Sequence, residues 1–128
     1  MQFINHLQKN KILVGIFILG AFLRFYKLGE IPNGFYVDEA MIGYNAYSFL
    51  QTGFKDEYGK LFPVFLRSFS VYSPPLYSYL TVLFVKLFGF NIFAIRFLSA
   101  LSGSLSTLAI YYLSKLLFKN KFISLVAC

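Results

Sequence analysis

Charge is scarce in this chain. Only 13% of its 128 residues are charged, against about 25% in an ordinary soluble domain. Acids are scarcer still, five in all. There is one cysteine, Cys128 at the last position, and one histidine, His6 in a polar N-terminal stretch. One Cys cannot close an internal disulfide, and no Cys/His cluster with metal-ligand spacing exists. No basic soluble module is present, which excludes nucleic acid as a partner.

What fills the chain instead is apolar. Hydrophobic residues make up 58%, with 17 Phe and 10 Tyr. Such a composition suits lipid and its interface better than a small soluble core. The net charge is +7. The lysines and arginines sit mostly beside apolar runs, where they orient helices in a bilayer. The expected class is all-α: a polytopic transmembrane helical protein of the plasma membrane, with the bilayer as its first partner.

Two spans are expected. A helix over residues 9–28, behind a cytoplasmic tail at 1–8, covers roughly 30 Å, one hydrocarbon core. A signal peptide is the alternative, but no small-x-small cleavage site follows. The second span is 92–118, with charge only at Arg96 and Lys115. Ser99, Ser102, Gly103, Ser104, Ser106 and Thr107 give it a small-residue middle, which lets helices approach closely in lipid. The run at 75–88 has about 14 residues, a length typical of an interfacial helix.

Charge decides how many runs cross. Lys9 and Lys11 place the N-terminus in the cytoplasm. With two crossings, Lys115, Lys119 and Lys121 also fall inside, as the positive-inside tendency prefers. Residues 29–91 then form an extracytoplasmic loop with juxtamembrane helices at 39–51 and 75–88. Three crossings is the alternative topology. Residues 119–128 read as a cytoplasmic turn and the start of a truncated third span, so the chain reads as the N-terminal part of a larger protein. A complete small protein with an apolar tail is the other reading.

The loop carries the candidate chemistry. Gly29-Glu30-Ile31-Pro32-Asn33-Gly34 is rich in turn formers. Helical periodicity then starts, with Asp38 expected as N-cap, Glu39 as first residue and Gly53 as C-terminal cap. Taken alone, Asp38-Glu39 is a capping feature more often than an active site. Carboxylates held near lipid, however, often mark function. One there can take a proton from an acceptor hydroxyl, or hold a divalent cation, the one cofactor the sequence leaves open. Asp56-Glu57 is a second acidic pair whose spacing demands no chemistry. Pro74-Pro75 sets a rigid helix entry. Tyr72, Tyr77 and Tyr79 suit an aromatic belt, and their hydroxyls can equally contact a sugar.

Taken in order, several segments resemble the start of a GT-C glycosyltransferase. They are Leu23-Arg24-Phe25-Tyr26-Lys27-Leu28, Asp38-Glu39-Ala40, Thr52-Gly53, Asp56-Glu57-Tyr58-Gly59, Pro63, Pro74-Pro75-Leu76-Tyr77, Leu87-Phe88-Gly89 and Arg96. The pattern is most similar to bacterial relatives of protein O-mannosyltransferases and of the lipid A aminoarabinose transferase. It runs over about residues 20–121, and its specificity lies in order and spacing rather than in any one motif.

The resemblance implies a multi-helix enzyme that moves a sugar from a polyprenyl-phosphate carrier to an acceptor protein or glycolipid on the outer face. It implies Asp38 in the active site with Glu39 beside it, and a basic residue, Arg96, at the start of the second span. There is a departure. Many relatives carry Lys before the proline, near the carrier phosphate; Ser73 stands there and offers no charge. Arg67, Arg96 or a residue beyond this chain are the candidates for that contact, with Ser73 and Tyr77 as further substrate-binding positions. The later helices and outer domain of the resembled enzymes are missing, so inactivity of this piece alone is expected. The rival is a non-catalytic membrane protein, a transporter piece or assembly subunit. Transporters place acids within their spans, and neither expected span contains one.

Overall fold

In a computed structural model, residues 11–68 and 71–128 are described. The expected tail at 1–8 and the first residues of the expected first span lie outside them. Five helices and one hairpin follow in order. They are α1 (Lys11–Phe25), α2 (Val37–Thr52), β1 (Leu66–Ser68), β2 (Val71–Ser73), α3 (Leu76–Phe88), α4 (Ile92–Phe118) and α5 (Lys121–Ala127). The chain divides into two compact units, Lys27–Leu98 and the remainder. Residues 92–98 of α4 belong to the first of these and residues 99–118 to the second.

Most helix ends have a local cause. α1 stops where Lys27 turns left-handed, at φ 49°, three residues short of the expected Leu28 end. α2 stops at Gly53, whose φ of 66° and ψ of 47° form the left-handed cap expected from sequence; its N–H bonds Phe49 O. α3 starts just after Pro75 and stops before Gly89. Asn91 then starts α4, its Oδ1 accepting the Ala94 N–H at 2.8 Å while its amide donates to Phe88 O at 2.7 Å. Asn120 caps α5, accepting from the N–H groups of Phe122 and Ile123.

Two expectations are corrected by the backbone. The chain is mostly helical but not all-α, because β1 and β2 pair antiparallel with Leu66 opposite Ser73 and Arg67 opposite Tyr72. Each strand is three residues long, too short for the alternation that announces a strand. Asp38, moreover, is not the N-cap of α2. That position is Tyr36, so Asp38 lies within the first turn. Glu39 reaches back to the Tyr36 N–H at 3.2 Å, as the third residue of a capping box does.

The unit of residues 27–98 has a conventional core. Ala46 and Phe49 of α2 meet Leu66, Val82 and Val85 of α3, and Ala94 and Ile95 of α4, with Ile42, Leu50, Phe54 and Tyr79 packed around them. Phe49, Phe54, Phe62 and Tyr79 form a ring cluster with centroids 4.9–6.2 Å apart. Tyr79 donates its hydroxyl to Pro63 O at 2.7 Å. The loop between α2 and β1 closes on Asp56, whose Oδ1 accepts from Tyr58 N–H and Lys60 N–H. That acid therefore shapes a turn.

α3 has two unlike faces. Ser78, Thr81, Val82 and Val85 are buried, and α2 packs along this helix. Leu76, Leu80, Leu83 and Leu87 are between 49% and 66% exposed. An exposed leucine stripe thus stands opposite a partly polar buried face.

The other unit holds α1, residues 99–118 of α4, and α5. Its buried residues include Ser104, Thr107, Ser114 and Ser124 beside Leu13, Ala100 and Tyr111. A Cβ on Gly103 would stand 2.9 Å from Arg24 Nε, and one on Gly20 would stand 3.9 Å from Thr107 Oγ1. The Gly103 position is tight only against the Arg24 side chain, and the Gly20 position meets Thr107 at ordinary contact distance. Among the described residues α4 alone is long and apolar enough to cross a membrane. Its 27 residues extend roughly 40 Å, more than a hydrocarbon core.

Candidate functional site

The segment between α1 and α2 cannot be regular. It carries Pro32 and Gly34, and Gly34 takes φ 94°, a conformation that disfavours a side chain. Its carbonyls therefore lack a helix or strand to bond them. Arg96, in the first turns of α4, supplies partners.

The Arg96 guanidinium is 6% exposed and every N–H is engaged. Nε donates to Glu39 Oε1 at 2.7 Å, and Nη2 donates to Glu39 Oε2 at 2.9 Å. Nη2 also donates to Gly34 O at 2.8 Å. Nη1 donates to Leu28 O at 3.2 Å and Pro32 O at 3.1 Å. An arginine has five N–H donors, and these five bonds use them all. The pair with Glu39 is the bidentate fork that a planar guanidinium makes with a carboxylate.

Glu39 is held as firmly from its own side. Its side chain is 27% exposed. The Arg96 hydrogen bonds hold its carboxyl below the usual carboxylate range; burial opposes this, and the Tyr36 N–H and the Arg96 charge reinforce it. A carboxylate so stabilised stays ionised and is a poor base. Asp38, one residue earlier, differs in each respect. It is exposed, and its carboxylate has no hydrogen bond or ion pair among the described residues.

Beside the pair lies a hollow of about 310 Å3, lined by Pro32, Asn33, Gly34, Phe35, Tyr36, Glu39 and Arg96. The rings of Phe35 and Tyr36 are 42% and 72% exposed.

The remaining sequence-expected residues stand apart from this cage. Arg67 is exposed and donates from Nη1 to Tyr58 Oη at 3.0 Å. That phenol, with Glu57 and Tyr72 nearby, raises its already high pKa. Ser73 closes the hairpin, its Oγ 3.5 Å from Leu66 O and 3.9 Å from Met41 Sδ. Tyr77 sits half-buried in the first turn of α3, its carbonyl accepting the Thr81 hydroxyl at 2.8 Å. The structure thus joins Glu39 to Arg96 and leaves Arg67 and Ser73 with other partners. It adds the carbonyls of Leu28, Pro32 and Gly34, which sequence reasoning missed. The turn-rich Gly29–Gly34 stretch was their only signal. No three of His, Cys, Asp and Glu converge on a metal position among the described residues.

Comparison with known proteins finds one family. The family model of dolichyl-phosphate-mannose-protein mannosyltransferases matches residues 72–128, a little under half of the chain. The matched stretch holds Ser73, Tyr77 and Arg96, whereas Asp38, Glu39 and Arg67 precede it. No curated protein and no solved structure matches. Glu39 lies outside the matched stretch yet is bonded to Arg96 within it. Residues 72–128 are thus similar to dolichyl-phosphate-mannose-protein mannosyltransferases, a likeness that supports a membrane glycosyltransferase of the GT-C kind.

Proposed function

We propose that this protein serves in a membrane glycosyltransferase that moves a sugar from a polyprenyl-phosphate carrier to an acceptor on the outer face. Two crossings, α1 and α4, would leave residues 29–91 on that face. The family match supports the class. The observation that carries the site is the contrast within one dipeptide: Glu39 is locked to Arg96, while the Asp38 carboxylate is exposed and has no partner among the described residues.

The chemistry assigns their roles. The acceptor hydroxyl oxygen attacks the anomeric carbon, and the bond from that carbon to the phosphate oxygen breaks. The bonding pair leaves with the phosphate, and the hydroxyl proton passes to Asp38 as general base. Phosphate is already a good leaving group, so the enzyme chiefly needs an activated acceptor and fixed geometry. Glu39 and Arg96 are positioning residues in this scheme: they hold the loop and the first turn of α2 on which Asp38 stands.

Asp38→Asn tests the assignment. In the full-length, membrane-embedded protein it should abolish sugar transfer while insertion and thermal stability stay unchanged. Wild-type turnover by that variant would remove Asp38 from the mechanism and favour a non-catalytic membrane protein.

A further inference from the structure

We infer that the hollow beside the Arg96–Glu39 pair takes an uncharged sugar ring, and that the carrier phosphate binds elsewhere. The inference rests on the glycosyltransferase reading above and names the ligand class of that site.

An arginine lining a cleft in such a protein looks like a phosphate clamp. This one is not available for that purpose. A phosphate needs N–H donors, and the five of Arg96 already serve Glu39, Leu28, Pro32 and Gly34. To bind a phosphate it would have to release the bidentate carboxylate or the three loop carbonyls, giving up hydrogen bonds already made to a charged donor. Glu39, ionised and beside the hollow, would also repel an anion. The charges of the pair cancel, so the hollow has no net positive potential of its own.

Its lining suits a neutral ring. Phe35 and Tyr36 line it and are exposed, and an aromatic ring can stack on the C–H face of a pyranose. Asn33 brings a side-chain amide that makes no hydrogen bond among the described residues. It offers two donors and an acceptor, the complement of sugar hydroxyls. The volume of about 310 Å3 stands at the small end of the roughly 300–1,000 Å3 usual for ligand sites. That is monosaccharide size. An apolar wall with a few polar groups is the ordinary build of a small-ligand site.

The ring could belong to the carrier-linked sugar or to a sugar already on the acceptor. Two measurements on the protein in lipid nanodiscs test the inference and separate these sources. In the first, 4-fluorophenylalanine replaces Phe35, and its fluorine resonance is followed during titration with methyl mannoside or with inorganic phosphate. The glycoside should shift the resonance saturably and phosphate should not. Asn33→Ala should weaken the glycoside about five- to tenfold, the loss of one or two hydrogen bonds. A saturable shift by phosphate, or none by the glycoside, overturns the inference.

In the second measurement, Asn33→Ala is assayed for transfer in the full-length protein. A raised KM for the lipid donor assigns the ring to the carrier, and a raised KM for the acceptor assigns it to the acceptor. No change in either overturns the inference. The Asp38→Asn result stands apart from both measurements. If the glycoside fails to bind but Asp38→Asn abolishes transfer, the hollow is misassigned and the enzyme reading holds. If the glycoside binds while Asp38→Asn turns over normally, the hollow stands and the base is misassigned.

Discussion

The two units of this chain differ in the balance of what they bury. Residues 27–98 bury mainly rings and aliphatic side chains, with Ser78 and Thr81 beside them, and take one charge inside only with a full set of partners. The other unit buries Ser104, Thr107, Ser114 and Ser124 beside Leu13, Ala100 and Tyr111, and turns Ile12, Ile18, Leu19, Phe22, Leu23, Leu113, Leu116 and Leu117 outward, each more than half exposed. In water the second arrangement would be inverted, because apolar burial drives folding there. In lipid, tails are as apolar as leucine, and close packing of small residues holds helices together instead. On the membrane reading proposed above, the outward apolar side chains of the second unit would face hydrocarbon.

That contrast can be broken most forcefully at Arg96. Arg96→Ala leaves Glu39 charged without its partner and three carbonyls without donors. A loss of about 1.5–3 kcal/mol is expected, because the lost bonds are charge-assisted while Glu39, 27% exposed, can partly rehydrate. Thermal unfolding should register it, and limited proteolysis should cut within residues 27–36. Arg96→Lys should recover only part, since an ammonium has three donors and no planar fork. Full stability in the alanine variant would mean that the cage is not what holds this loop.

Gly43 tests the apolar side of the same unit. A Cβ there would overlap the Ile95 side chain. Overpacking of this kind costs about 1–3 kcal/mol, so Gly43→Ala should lower the unfolding temperature without changing the pH dependence.

Acid should affect the units unequally. The Glu39 carboxyl is lowered from its ordinary value of 4.5. A group lowered on folding contributes stability that is fully present above its unfolded value and is lost as pH falls through its folded value. The unit of residues 27–98 should therefore weaken progressively as pH drops below about 4.5. Hydrogen exchange in residues 28–40 should report this, and Glu39→Gln should flatten the response. An unchanged profile in that variant would show that another group carries it.

The smallest effect is expected in the lipid-adapted unit. A Cβ on Gly103 meets the flexible stem of the exposed Arg24, which can move aside. Gly103→Ala should change thermal stability in nanodiscs by less than about 1 kcal/mol, within the range of exposed substitutions. A loss matching that of Gly43→Ala would mean that both units pack with equal rigidity.

Legibility from sequence followed the range of the interaction. The bounds of α4 agree with the expected 92–118, and α3 differs from expectation by one residue, because a long, mostly apolar run is a local signal, as are Pro75 and Gly89 at the ends of α3. Gly53 was recognisable as a cap for the same reason. Asp38 was misplaced as N-cap because Asp ranks high there by propensity. The true capping contact comes instead from the Glu39 side chain, which lets Tyr36 occupy the cap position. The hairpin was missed because its strands are too short to show a period.

By itself, the sequence determined that this chain belongs with lipid, where its long helix runs, and that an acidic pair sits beside a turn-rich loop. These follow from composition and from runs of neighbouring residues. Only the tertiary structure decided which acid is free. Glu39 and Arg96 lie 57 positions apart, and nothing local to either says that they meet. An arginine carries the same charge whether it awaits a ligand or not. Whether its N–H groups are available depends on what the fold brings around it, and around Arg96 the fold leaves none unspent.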